Sequence, residues 1–290
     1  MSKYYYLIAG LPSITPDDAK LTYSVAEFKA EIADYLSKHD KRLMRWLYLK
    51  YDNRNLLSVI RNLPEDRFDA RGNFSLSDLQ TFYKALKENE RLPKKNAMPA
   101  YMTKFIQAYL KRLEDEETTD PQSLEDHLSA LYYEEAMKCG NKFLALWFEL
   151  NLNMGNVLVA LNCRKYGLNR EDFIIGENEI AQSLRTSGAR DFHLGELDDY
   201  MTRLMQIADM KEPMVREKQL DLLRWKWLED YTFYRVFDIE SIMAYMLQLE
   251  ILERWIALDK TSGDKTFRQL VLDMKQESVN TLEEFKEKNK

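Results

Sequence analysis

A fifteen-residue stretch recurs without a gap 101 residues further along the chain. The first copy runs from Trp46 to Ile60 and the second from Trp147 to Leu161. Trp46 pairs with Trp147, Leu49 with Leu150, Asp52 with Asn153, Asn55 with Asn156 and Leu57 with Leu158. Upstream, Lys41 pairs with Lys142 and Leu43 with Leu144. Residues 46, 49, 53, 56 and 60 fall on one helical stripe, as do 147, 150, 154, 157 and 161, and both stripes are apolar except at Asn53. Any two amphipathic helices share such a stripe. The matching tryptophans and asparagines constrain the fold more, because asparagine is a mediocre helix former and costs energy when buried unpaired. Its return at an equivalent position points to an amide that bridges helices or meets a partner. A fainter third copy, Ala244 to Ile256, lies 200 residues from the first: Arg254 matches Arg54, Ile256 matches Leu56, and Trp255 replaces Asn55. A chain repeating at this period is expected to fold as similar units, here residues 12–116, 117–212 and 213–290.

The units are helical. Nine glycines and seven prolines in 290 residues leave the chain poor in turns, which favours long helices. No stretch alternates apolar and polar residues well enough to build a sheet. The N-terminal dozen residues, ending at Leu11-Pro12, read as an extended lead-in, and Pro16-Asp17-Asp18 as a turn or helix start. Helical periodicity covers Val25 to Leu36, then Lys41 to Arg61. Ser75 and Ser77 are N-cap candidates for a helix reaching about Arg91, and another spans Ala100 to about Glu116. Thr118-Thr119-Asp120-Pro121 is a start signal for a pattern running to Lys138, pausing at Gly140 and resuming to Tyr166. Residues 167–195 carry weak helical content. Helices return over 196–210, 213–230, 239–258 and 264–286. The fold class is all-α.

Composition excludes several functions. The formal net charge of −6 gives no surplus of Lys and Arg with which to displace counterions, so nucleic acid is not an expected partner. Basic clusters such as Lys41, Arg42 and Arg45, or Arg91, Lys94 and Lys95, sit among carboxylates as solvated helix faces. Cys139 and Cys163 make neither a disulfide framework nor, with three scattered histidines, a zinc site. No uncharged apolar run approaches the roughly 18 residues of a membrane span, and the N-terminus lacks the apolar content of a signal peptide. The expected setting is a reduced cytoplasm, with docking onto a membrane complex left open.

Catalytic signatures are missing too. There is no phosphate loop, dinucleotide fingerprint or nucleophile elbow. Glu125-Asp126-His127 has the wrong spacing for a helical di-iron site, and His39 and His193 have no suitable companions. Asp17-Asp18 and Asp198-Asp199 lack the third carboxylate of a magnesium motif; an acidic pair at a helix start more simply complements the helix dipole. Neither cofactor nor metal is expected, and the chain reads as a non-enzyme.

The helix Ala244-Tyr245-Met246-Leu247, followed by Glu250 and Arg254, together with Asn55-Leu56-Leu57 and Ile60-Arg61 earlier, resembles the C subunit of V-type and archaeal-type rotary ATPases, known in eukaryotes as the d subunit. More closely, the chain is similar to a Bacteroidetes family encoded beside V-type ATPase subunits. The rotary family places a glutamate before Arg-Asn-Leu. Arg54-Asn55-Leu56 matches fully; Glu250, Arg254 and Ile256 fit with Trp255 departing; Asn156-Val157 fits with Gly155 in place of arginine. The resemblance implies a funnel of three helical lobes that sits on the membrane rotor ring and receives the foot of the central shaft. Its partners would be the shaft subunits and the ring, and its location cytoplasmic, peripheral to the inner membrane. The residues at shared positions, and hence candidates for partner contact, are Asp52, Arg54, Asn55, Asn153, Asn156, Glu250 and Arg254. Each could instead lock helices within a lobe. Two alternatives stay open: a helical scaffold or adaptor unrelated to rotary ATPases, and a helical enzyme with an unfamiliar site.

Overall fold

The computed structural model describes residues 4–92, 98–115, 123–194 and 199–258. Among them the chain forms eleven α-helices and no strand: α1 Tyr5–Ala9, α2 Val25–Ile32, α3 Lys38–Ile60, α4 Leu76–Lys87, α5 Ala100–Glu114, α6 Leu124–Ala136, α7 Lys142–Tyr166, α8 Glu179–Thr186, α9 Asp199–Ala208, α10 Pro213–Thr232 and α11 Ile239–Ala257. The all-α expectation holds there. The sequence signal at 118–121 and the predicted helix 264–286 lie outside the described residues; the described part of α6 starts behind Ser123.

Helix starts follow the capping chemistry of the sequence. Ser24, Ser37, Ser75, Ser123, Asn141 and Asn178 each accept a backbone N–H of the first turn through the side-chain oxygen, a contact worth about 1 kcal/mol. Of the two serines proposed for α4, Ser75 is the cap, and Asp78 returns the bond to the Ser75 N–H. One expectation is corrected: the N-terminal lead-in is helical over Tyr5–Ala9 rather than extended. Within 167–195 the described helical content is one 3-10 turn and a two-turn helix, α8, behind the Asn178 cap.

The chain divides into two compact units, residues 36–223 and residues 1–35 with 224–290. In the first, α3 packs on α4 and α6, α5 on α4 and α6, and α7 on α6, α8 and α9. Its core holds Leu47, Leu56, Phe105, Phe143, Met154 and Val157, all essentially without solvent contact. Through this core Tyr132 meets Tyr101 with tilted rings and Phe148 edge-on. In the second unit α2 packs on α11: Phe28 meets Tyr245 at 5.1 Å, the Val25 N–H donates to Glu253 Oε1 at 3.2 Å, and Tyr245 donates to the Pro12 carbonyl at 3.0 Å.

Helix α7 is long and apolar enough to cross a membrane by length and composition alone, although 56% of its most apolar window is buried inside the protein. Its two buried asparagines are tied to neighbouring segments, as described next. Core packing accounts for its apolar character.

Candidate functional site

The two long helices of the first unit, α3 and α7, carry the repeated residues, and the same succession of elements follows each. Each helix closes with a residue in the left-handed region, Asn62 at φ 51° after α3 and Gly167 at φ 69° after α7. The next residue is a leucine whose N–H reaches back to the helix: Leu63 to the Ser58 carbonyl at 2.9 Å, Leu168 to the Cys163 carbonyl at 2.9 Å. This closure satisfies carbonyls that the helix end would otherwise leave unpaired. One 3-10 turn follows in each case, Glu65–Arg67 and Arg170–Asp172, and each is succeeded by a phenylalanine, Phe68 and Phe173. The chain then meets the long helix again before α4 and α8 begin behind Ser75 and Asn178.

The repeated asparagines hold this return. Asn55 donates its amide to the Asp69 carbonyl at 2.9 Å and accepts the Asp69 N–H at 2.8 Å. Asn156 donates to the Ile175 carbonyl at 2.7 Å and accepts the Ile175 N–H at 3.2 Å. Each amide thus grips both backbone groups of a single loop residue, as another strand would. The residue three positions earlier grips the segment entering the next helix. Asp52 accepts from the Asn73 N–H at 2.8 Å, from Asn73 Nδ2 at 2.7 Å and from the Phe74 N–H at 3.1 Å. Asn153 accepts from Nδ2 of Asn178, the α8 cap, at 2.8 Å.

Burial agrees position by position. From Lys50 to Leu56 and from Asn151 to Val157, the order of half-buried, buried and exposed residues is the same, and the one exposed position is Arg54 in the first and Gly155 in the second. Asn53, the polar interruption of the first stripe, is buried and accepts the Tyr101 hydroxyl at 2.6 Å. In α11, offset by 200 residues, Leu252 stands where Asp52 does and Trp255 where Asn55 does, so this pair of polar grips has no counterpart there. Arg254 is exposed like Arg54, with its guanidinium 5.4 Å from the Trp255 ring, and Glu250 is half-buried.

The electrostatics follow from this packing. Burial pushes the Asp52 carboxyl above its ordinary value, against the hydrogen bonds from Asn73 and Phe74 and the nearby Arg45, which favour the charged form. Burial also pushes the Tyr101 hydroxyl well up, helped by the charges of Asp52 and Glu135. Asp69 moves the other way: its hydrogen bond with Arg71 holds its carboxyl low.

Of the seven residues singled out in the sequence, the structure brings Asp52 with Asn55 and Asn153 with Asn156 into these two grips, buried and engaged within the chain. Arg54 and Arg254 lie at the surface and Glu250 is partly accessible. Sequence reasoning passes over the partners Asp69, Gly72, Asn73 and Asn178. Gly72 is required by close approach: a Cβ there would sit 2.3 Å from Asp52 Oδ1. A further signal was available. Leu63-Pro64-Glu65-Asp66-Arg67-Phe68 and Leu168-Asn169-Arg170-Glu171-Asp172-Phe173 continue the repeat, displaced by four further residues, about one helical turn. Beside the first grip lies a half-open cleft of about 350 Å³, lined by Asn55, Ser58, Leu63, Phe68, Leu76 and Tyr83 among others. No group of three or more His, Cys, Asp or Glu among the described residues could hold a metal ion.

Fold and site together define an all-helical protein in which long helices carry buried amides and a carboxylate that secure the loops following them. The chain belongs to the family described as protein of unknown function (DUF2764), whose model matches residues 1–278. No curated protein and no solved structure matches the chain.

Proposed function

We propose that this protein is a non-catalytic central-stalk component of a bacterial V-type rotary ATPase, resembling that family's C subunit, which couples the central shaft to the membrane rotor ring. On this reading three tandem lobes, 12–116, 117–212 and 213–290, make a funnel at the cytoplasmic face of the inner membrane. The observation that carries the proposal is the pair of equivalent grips: Asn55 on Asp69 and Asn156 on Ile175, each within the same order of helix, left-handed terminator, leucine, 3-10 turn, phenylalanine and capped helix. Two unrelated amphipathic helices would share a stripe but have no reason to share this succession. Duplicated helical units suit a part that must carry torque, because helices packed across one another and tied to their connecting loops resist bending without any catalytic group.

Exposed Arg54 and Arg254, with half-buried Glu250, are the shared-position residues a shaft or ring protein would reach. Asp52, Asn55, Asn153 and Asn156 would act indirectly, by holding the lobes in shape. The test is affinity purification of the tagged chain, produced at native level in its own host under gentle detergent extraction. Stoichiometric recovery with shaft-type and ring proteins is the expected result. A chain that purifies without them, from membranes in which the assembled motor is intact, would overturn the proposal.

A further inference from the structure

The second unit exposes an aromatic surface that core packing does not explain. The link from α10 to α11 reads Phe233-Tyr234-Arg235-Val236-Phe237. Phe233 is 70% exposed, Tyr234 90% and Val236 50%. Phe237 meets Tyr5 of α1 with ring centroids 4.7 Å apart, and Tyr5 meets Tyr6, itself 82% exposed, at 5.5 Å. Single exposed apolar side chains are ordinary, but a cluster of this kind marks a surface meant to be covered. The link is also pinned rather than loose. Arg235 lies 4.7 Å from the Tyr231 ring and donates to its hydroxyl at 3.1 Å, Tyr231 stacks on Trp227 at 5.3 Å, and the Ser241 hydroxyl donates to the Arg235 carbonyl. Aromatic side chains held in place beside an arginine have the make-up of an interface centre, since they bring large contact area with little ordering cost.

We propose that this surface, formed by the α10–α11 link and α1, is the docking site for a different protein chain whose contact face is apolar at its centre and rimmed by lysine or arginine. The charge around the patch selects that partner. Glu229, Asp230, Asp238 and Glu240 flank it on α10 and at the start of α11, against Lys226 and Arg235. An anionic lipid surface or a nucleic-acid backbone would be repelled by this rim. A second copy meeting it about a two-fold axis would bring two rims of net negative charge together, four carboxylates against two cations on each side. A basic rim is attracted, and so gains both on-rate and register. Neither the patch nor its acidic rim depends on the rotary-motor reading.

The test places benzoylphenylalanine at Tyr234 in the full-length chain, expressed in its host, with Leu168 as an exposed control position, and identifies the cross-linked peptide after irradiation. The expected product joins position 234 to a different protein, at a peptide where apolar residues lie beside Lys or Arg. Its yield falls about fivefold or more when Asp230→Lys and Asp238→Lys are combined, as loss of a favourable rim would produce. Phe233→Ser and Val236→Ser, at positions facing solvent, should abolish the cross-link from position 234 and leave the urea midpoint of the isolated chain unchanged. The proposal is overturned by cross-links to a second copy or to lipid, by no product above the Leu168 control, or by a product whose yield ignores the charge reversal.

Discussion

Gly72 and Asp52 should be coupled through steric contact, and the size of that coupling can be worked from the structure. A methyl group at residue 72 would lie 2.3 Å from Asp52 Oδ1 and 3.1 Å from its Cγ. The carboxylate cannot swing aside freely, because Asn73 and Phe74 hold both of its oxygens from the loop side. Gly72→Ala therefore has to displace the loop or break these bonds, at a cost toward the upper end of the usual range for forced overpacking, about 1–3 kcal/mol. Asp52→Ala removes the obstacle but leaves the Asn73 and Phe74 donors without their acceptor. With the Phe74 N–H buried and Asn73 partly able to meet water, that loss comes to roughly 3–5 kcal/mol. Once the carboxylate is gone, the residue 72 methyl has room, so the double variant should be little worse than Asp52→Ala alone. The cycle then shows a favourable coupling of about 2 kcal/mol, several times the scatter expected of independent sites. Urea unfolding of the four proteins, read as midpoint shifts at constant m, measures it. A Gly72→Ala cost below about 0.5 kcal/mol, or additivity of the two changes, would refute the reasoning.

Other outcomes follow from the same geometry. Asn55→Asp places a carboxylate against the Asp69 carbonyl where the amide now donates, and Asn156→Asp does the same to Ile175; each should lose roughly 3 kcal/mol or more at neutral pH, and a large loss in only one would break their equivalence. Tyr101→Phe leaves the buried Asn53 oxygen without its donor and should cost about 1–3 kcal/mol in urea unfolding; a neutral result would mean Asn53 has another partner ready. Asp52 also sets a pH dependence. Because burial raises its folded value above the ordinary 3.8, the fold keeps a proton that the unfolded chain has released, so this group's contribution is most favourable below 3.8 and declines as pH rises through the raised value. Unfolding free energy measured from pH 3.5 upward should fall less steeply in Asp52→Asn than in the wild type; an equal or steeper fall would contradict the assignment.

Much of the helical layout is legible in the sequence because its signals are local. Ser75 lies just before an apolar periodic run and caps α4 there, and a cap needs only its own turn. The role of Asn55 and Asn156 is half legible. Their recurrence marks them, but their partners are the backbone groups of Asp69 and Ile175, and backbone atoms leave no residue type to match. The same holds for α8. Its eight residues form because Asn178 is both the helix cap and the donor to Asn153, a contact across 25 residues that no local window contains. The short helix α1 reads as extended because three consecutive tyrosines favour strand by propensity, while Tyr5 is held by Phe237 far along the chain. The aromatic link 233–237 is silent in the sequence for a related reason: periodicity assigns a buried face to a helix, but a connecting segment has no period from which to infer what it exposes.

The central proposal, that the protein stands between shaft and rotor ring, is tested most directly by electron cryo-microscopy of the motor isolated from its host through a tag on this chain. The predicted result is helical density fitting the residue 36–223 unit, including α3 and α7 with their paired loops, at the junction between shaft and ring. A complete motor whose shaft meets the ring with no such density between them would contradict it.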